Sequence, residues 1–350
     1  MTAPPNQNQQ IQTILTKYGH KGLETAKRTA NDKNMPKPVH EALKYFINET
    51  WQNTHHPALM ALCCETVGGR ADTTNKLGAA IVLLTGAADI HDDIIDKSRT
   101  KGQKQTAYNR FGKDITLLTG DALLFKGLLL LSHACEKFPR RKQRAISNVV
   151  ERSFFKIGNA ATGERSFRAK RKLDPDDYGR IIEAKGAVSE ACAEIGAIMG
   201  GGKTEEVNRL RHFGRTLGFL MTIRNEFADM RDPSEIENRM KNEVLPLPVL
   251  YALQDASANV ELVSLLHGKL AKRSVNRIVE VVSRTKKVQE LEEKMLLAKE
   301  HEENLLESLN GDKEPFKLLL DLSTDYLCKK KVSREMTPAV SSRVIVSHVT

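Results

Sequence analysis

The sequence is short of almost everything a sheet-based protein needs. Aromatic residues make up 5% of it, and no stretch alternates Val, Ile, Thr or Tyr with polar residues in the way that marks a half-buried strand. Long apolar runs are missing too. The two longest, Leu77–Ala88 and Leu123–Leu131, are interrupted by Gly, Thr or Lys, and neither reaches the roughly 18–20 residues that cross a bilayer. Met1–Gln10 is polar and rich in Asn, Gln and Pro, with no basic-then-apolar leader. The expectation is a cytoplasmic protein that does not span a membrane. Five cysteines, an odd count with no CxxC pair, exclude a disulfide framework and an ordinary zinc site, and fit reduced, mostly buried thiols.

What is present is a long, charged, helix-patterned chain. Its 350 residues are 40% hydrophobic and 28% charged, values of a globular protein that one large helical domain can absorb. The net charge of +10 would attract anionic partners. The basic runs Arg140–Arg144 and Arg165–Lys172 have little aromatic interleaving, so they read as solvated surface and not as a nucleic-acid interface. Apolar residues recur at three- and four-residue spacing, predicting helices near 37–50, 57–68, 73–99, 114–137, 141–163, 175–200 and 204–230. Further helices are predicted near 246–255, 258–268, 273–283, 286–309 and 313–328. Gly68-Gly69, Gly112, Pro139, Asp174-Pro175, Gly200–Gly202, Asp232-Pro233 and Gly311 read as the turns between them. Thr204, followed by Glu205 and Glu206, reads as a helix start. The fold class is therefore all-α, a large single-domain helical bundle. Residues 1–12 read as a disordered tail, 13–331 as the helical domain and 332–350 as a second tail. Long antiparallel helices of this kind can enclose a deep central cavity lined by inward-facing side chains.

One segment breaks the pattern. Ile81–Asp96 reads IVLLTGAADIHDDIID, an apolar helix that ends in carboxylates. Asp92 and Asp96 are four apart on one face with Asp93 about 100° round, a spacing at which like charges destabilise a helix. Apolar surroundings make it worse, because desolvated carboxylates need partners. A hard divalent cation such as Mg²⁺, held by one or two carboxylates and completed by phosphate oxygens, would answer the need. A second polar group, Asn225, Glu226 and Asp229, has similar spacing on another helix, and two such faces could grip a diphosphate between them. Pairing with Arg224 and Arg231 would explain that second group equally well. Gly-Lys-Thr at 202–204 imitates a phosphate-binding loop, but its spacing is one residue too long and a helix precedes it.

Taken in order, DIHDDIIDKS, Phe111-Gly112-Lys113-Asp114, Leu118–Leu123, Tyr178, Ile181–Lys185, the second acidic group and Leu245-Pro246-Leu247-Pro248 resemble the trans-prenyl diphosphate synthases of the geranylgeranyl and longer polyprenyl type. The similarity spans roughly residues 40–255. It implies an isoprenoid-synthase bundle in which Asp92, Asp93 and Asp96, with Asn225, Glu226 and Asp229, bind several Mg²⁺ ions bridging an allylic diphosphate. Lys185 and Lys101 would contact that diphosphate. Isopentenyl diphosphate would then add to the allylic cation, giving a polyprenyl diphosphate. Ala87 and Ala88, five and four residues before Asp92, lack the aromatic bulk that caps the growing chain in this family, implying a product of about twenty carbons or more; close helix packing is the other explanation. A homodimer is implied, and a heteromer with a related synthase fits as well.

The chain also departs from the family pattern on the polar lining of the site. The Gly-Lys-Arg-x-Arg-Pro segment becomes Gln52–Pro57, with Asn53 and His56 in place of cations. Here His56 helps a diphosphate only if it is protonated. Thr85 stands where the family has histidine, Lys101-Gly102 where it has two arginines, Gly186 where it has the threonine after the lysine, and Thr222 where it has the glutamine before the second motif. Lys241 is the candidate to replace a downstream lysine. These changes leave two alternatives to an elongating prenyltransferase: a non-catalytic or weakly active subunit of a heteromeric synthase, and an ionising enzyme of terpene-synthase type.

Overall fold

A computed structural model of the chain describes residues 7–32, 34–102, 104–168 and 174–332, with side chains through 327. It is a helical bundle. In chain order the helices are α1 (Gln7–Ala30), α2 (Lys37–Tyr45), α3 (His55–Thr66), α4 (Asn75–Ile95), α5 (Ala107–Phe111), α6 (Lys113–Cys135), α7 (Arg140–Arg168) and α8 (Pro175–Lys185). Then follow α9 (Ala187–Gly200), α10 (Thr204–Asp229), α11 (Pro233–Asn242), α12 (Leu247–Leu253), α13 (Ala256–His267), α14 (Lys272–Arg284), α15 (Lys286–Leu306) and α16 (Glu314–Val332). A π-helical turn, Phe46–Thr50, extends α2. The one β feature among the described residues is a small antiparallel hairpin pairing Thr100-Lys101 with Lys104-Gln105.

Most predicted helices lie where the apolar spacing put them, and the exceptions have local causes. The first helix begins at Gln7, inside the segment read as a tail, and buries Ile11, Leu15, Leu23, Ala26 and Ala30 at helical spacing. Its Gln- and Lys-rich outer face masked that stripe. Of the tail assigned to 332–350, Val332 closes α16 and the rest lies outside the described residues, as do 169–172 of the second basic run. Asp232-Pro233 reads as a turn in the sequence, yet Asp232 caps α11, its carboxylate accepting from the Ser234 N–H at 2.9 Å, with proline in the first turn. The helix start at residue 204 is capped by the Glu206 carboxylate, which accepts from the Lys203 N–H at 2.7 Å.

The predicted helix over 175–200 is broken at Gly186, and the break positions the site. A Cβ at Gly186 would stand 2.9 Å from the backbone of Gly218, and one at Gly218 would stand 2.5 Å from the Gly186 carbonyl. Only two glycines allow α8 and α10 to touch there. The glycine that replaces the family's threonine is thus required by packing, and it leaves Lys185 as the last residue of α8, beside α10.

Two buried clusters flank α4. The larger runs through α3, α7, α9, α10, α12 and α16; the smaller joins α1, the α2 turn, α4 and α6 and contains Phe46 stacked on Trp51 at 5.6 Å. By length and composition α6 could cross a membrane, contrary to the sequence expectation. In the bundle one face of it packs on α4 through Thr119, Gly120, Leu123 and Gly127, and its other face is exposed. Cys63, Cys64, Cys135 and Cys192 are buried and free, as expected.

Candidate active site

Helix α4 ends at the acidic cluster. Lys97 takes a left-handed conformation (φ 53°), and the Ser98 N–H donates to the Asp93 carbonyl at 2.9 Å. This terminates the helix and folds the 100–105 hairpin back along it. The hairpin delivers Lys101, whose ammonium lies 2.5 Å from Asp89 and 3.0 Å from Asp93. Burial opposes that charge, but the two carboxylates outweigh it and hold the ammonium above its usual value. Lys101, expected on the diphosphate, is therefore committed to Asp89 and Asp93.

Asp92 and Asp96 are different. They are half-buried, and no cation among the described residues pairs with either carboxylate. Burial pushes Asp92 up to about 7, with Lys185 opposing, and Asp96 up to about 6, with Glu164 adding to the shift. The negative end of the α4 dipole works in the same direction. Buried Asp93 is raised to about 7, Lys101 opposing and Asp89 adding.

Lys185 approaches from α8. Its ammonium is 2.6 Å from Glu164 of α7, which also accepts from the Tyr178 hydroxyl at 2.8 Å. Burial disfavours its charge, but Glu164 and Asp92 prevail and keep it protonated. Glu164 has no motif around it, and only its place facing Lys185 marks it as part of the site.

The second group is already satisfied. Glu226 accepts from Arg239 through both oxygens, at 2.9 and 3.1 Å, and from the Leu247 N–H at 2.7 Å; Asp229 accepts from the same guanidinium at 2.7 Å. Arg224, one of the two arginines expected to pair with this group, is engaged elsewhere, with Asp325 at 3.0 Å. Asn225 lines the cavity beside Lys185. Lys241 is exposed and paired with Glu237 one turn back, so it does not reach the site.

The residues standing in for the family's cations find one another. The Asn53 amide donates to Thr85 Oγ1 at 3.1 Å and meets His56 Nδ1 at 2.7 Å, while the His56 N–H donates to Asn53 Oδ1 at 3.3 Å. All three side chains are buried. Burial, and then neighbouring His55, lowers the His56 pKa well below its usual value, and burial takes His55 down to about 4. His56 is neutral, and a neutral imidazole cannot replace an arginine.

Both histidines, with Leu59, Lys185, Met221 and Asn225, border a cavity of about 50 Å³. That is far narrower than the deep cavity expected, since ordinary ligand pockets hold about 300 Å³ or more. Helix α4 does not border this cavity, and it is itself closely packed elsewhere. A Cβ at Gly127 of α6 would lie 2.8 Å from Leu84, and Ala87 is buried in the cluster with Phe46 and Trp51. Helix packing accounts for Ala87, and neither it nor half-buried Ala88 borders this cavity.

The two acidic groups fit a divalent ion unequally. Asp92 and Asp96 offer carboxylate oxygens that pair with no cation among the described residues, which suits Mg²⁺ completed by phosphate oxygens. Glu226 accepts from Arg239 through both oxygens and Asp229 through Oδ2, so their charge is already neutralised from within. No group of three or more His, Cys, Asp or Glu among the described residues could hold a metal by itself.

Known proteins resemble the chain in sequence and in fold. The chain is 29% identical over 211 residues to geranylgeranyl pyrophosphate synthase 11, chloroplastic, of Arabidopsis thaliana, covering 57% of this chain and 58% of that protein. To the heterodimeric geranylgeranyl pyrophosphate synthase large subunit 1, chloroplastic, of the same plant it is 30% identical over 213 residues, covering 57% and 56%. To the geranylgeranyl diphosphate synthase of Methanosarcina mazei it is 25% identical over 211 residues, covering 60% and 64%. In each case the match spans less than two thirds of the relative. The fold matches the geranylgeranyl pyrophosphate synthetase structure from Pyrococcus horikoshii with a TM-score of 0.79 at 19% identity, covering 91% of this chain and 99% of that one. The polyprenyl synthetase family model matches residues 36–283, from α2 through the acidic cluster, Lys185 and the Arg239 pair to α14, and on that match the chain belongs to the polyprenyl synthetase family.

Proposed function

We propose that the chain is a trans-prenyltransferase that binds an allylic diphosphate at Asp92, Asp96 and Lys185 and condenses it with isopentenyl diphosphate. The observation that carries this reading is the pair Asp92 and Asp96, half-buried carboxylates one helical turn apart that form no ion pair with a cation among the described residues, with Lys185 acting on Asp92 from nearby. Mg²⁺ bound there would supply Lewis-acid stabilisation of charge on the leaving diphosphate. Lys185, fixed by Glu164, contributes a point charge to the same diphosphate. Leu59, Val188, Leu217 and Met221 line the adjoining cavity, keeping water from an allylic cation. Asp93 orients Lys101 and the hairpin rather than the substrate. The relatives' names support a twenty-carbon product, for which the cavity must widen from its present volume.

A second reading rests on the neutral Asn53–His56–Thr85 network. With no fixed positive charge there, the isopentenyl half of the site is weakened, which favours an ionising enzyme or a subunit that works with an elongating partner. One incubation separates these readings: the purified chain with Mg²⁺, labelled isopentenyl diphosphate and allylic diphosphates of several lengths. Longer labelled products establish elongation. Consumption of the allylic substrate without incorporation establishes ionisation alone, and no consumption directs the search to a partner subunit.

We also propose a homodimer through α6 and α7, with a related synthase as the alternative partner. Leu117, Leu118, Phe125, Leu128 and Leu129 of α6 and Phe154 and Phe155 of α7 are exposed, an apolar face of the kind interfaces cover. Phe125→Asp is expected to yield a monomer in sedimentation; an unchanged mass would reject this face. A cytoplasmic location is supported by the four free, buried thiols.

A further inference from the structure

The second acidic group contains its own cation. Arg239 is 2% exposed. Its Nη2 reaches Glu226 Oε1 at 2.9 Å and Asp229 Oδ2 at 2.7 Å, and its Nη1 reaches Glu226 Oε2 at 3.1 Å and the Val244 carbonyl at 3.3 Å. Glu235 and Glu243 stand 3.6 and 3.8 Å from Nε. Glu226 and Asp229 lie three residues apart on the last turn of α10, so their carboxylates meet above one face. A bridging divalent ion would compete with Arg239 for the same two carboxylates. The fork of a guanidinium takes Glu226 bidentately, and the Leu247 N–H donates to it as well, at 2.7 Å.

Arg239 is not a surface side chain that could swing aside for a metal. It leaves α11 pointing inward, and its partners belong to α10 and to the segment leading into α12. Moving it would leave a guanidinium buried without a counterion, among the costlier arrangements in a protein interior. The group therefore joins α10, α11 and the start of α12 as a structural knot.

We infer that Arg239 is the resident cation of the second acidic group, standing where a metal ion is expected, so that divalent ions bind on the Asp92–Asp96 side alone. This rests on reading Asp92 and Asp96 as a diphosphate-and-metal site, and it changes what holds the diphosphate: ions on one face, and Lys185 with a neutralised protein surface on the other.

The test counts Mn²⁺ bound to the full chain in the presence of inorganic pyrophosphate, by electron paramagnetic resonance of the free ion, and needs no turnover. Asp92→Asn is expected to lower the number bound. Glu226→Gln and Asp229→Asn are expected to leave both the number and the affinity within about twofold of the unmodified chain. Arg239→Met is expected to gain one ion, because it frees the carboxylates, while Arg239→Lys, which keeps the charge, should match the unmodified chain. Loss of one ion in Glu226→Gln or Asp229→Asn overturns the inference and leaves the first site intact. Should one of the substitutions at 226, 229 or 239 unfold the chain, the others still decide. If the unmodified chain binds no Mn²⁺ with pyrophosphate, the site reading falls and the inference with it.

Discussion

The ends of α4 and α10 share closely spaced acids and differ in their counterions. Each helix finishes in closely spaced acidic residues, at Asp92–Asp96 and at Glu226–Asp229, and in each the carboxylates face inward against the helix dipole. At α10 the next helix returns with Arg239 and neutralises the pair. At α4 the chain returns with Lys101, but the hairpin places it on Asp89 and Asp93, one turn too early for Asp92 and Asp96. The partner supplied by the following segment, and not the acidic motif, decides whether a carboxylate pair stays open to an outside cation. One end is structural and the other is open.

The comparison breaks most visibly in turnover. Asp92→Ala is expected to reduce conversion of allylic diphosphate by about 10³-fold or more, near 4 kcal/mol of transition-state stabilisation, in the labelled-substrate assay. Retained activity in an Asp92→Ala, Asp96→Ala double variant would sink the open-site reading. The opposite end should answer in stability. Arg239→Met strands two buried carboxylates and is expected to cost about 3–5 kcal/mol in urea unfolding, whereas a shift below about 1 kcal/mol would mean that the knot bears no structural weight.

A pH titration sharpens the contrast. Burial raises Asp92 to about 7 and Asp96 to about 6, so without metal the folded chain keeps protons that the unfolded chain releases near about pH 4. The stability so gained is complete below that value and is lost as pH rises through about 6 to 7. Cation binding runs the other way, since the ligand carboxylates must be deprotonated. Thermal midpoints without metal should fall between pH 5 and 8, Asp92→Asn should flatten the slope, and Mn²⁺–pyrophosphate affinity should rise across the same interval. A flat profile in both quantities would mean that these carboxylates are solvated.

The fold and one half of the site were legible in the chain. Helical periodicity located most helices, and DDIID on an apolar helix announces uncompensated charge from sequence alone. Lys185 came with the family resemblance. What stayed hidden were partners remote in sequence or lacking a motif. Glu164 pairs with Lys185 across α7 and α8, and Arg239 serves Glu226 from a helix that begins with an Asp-Pro pair easily taken for a turn. Gly186 reads as a lost threonine until Gly218 is seen against it. Ala87 reads as an open tunnel until Phe46 and Trp51 are seen in the same cluster.

The smallest expected effect comes from the neutral network beside the open site. Asn53, His56 and Thr85 each look like the loss of a cation or a proton carrier, yet together they satisfy one another. Thr85 Oγ1 accepts from Asn53 and itself donates to the Ile81 carbonyl at 2.8 Å, so Thr85→Val preserves shape and leaves the Asn53 amide without this acceptor. The expected cost is about 1 kcal/mol in stability, with the apparent KM for isopentenyl diphosphate changed less than twofold, because a neutral structural network holds no diphosphate. A tenfold rise in that KM with stability intact would place the network in substrate binding and restore the isopentenyl half of the site to function.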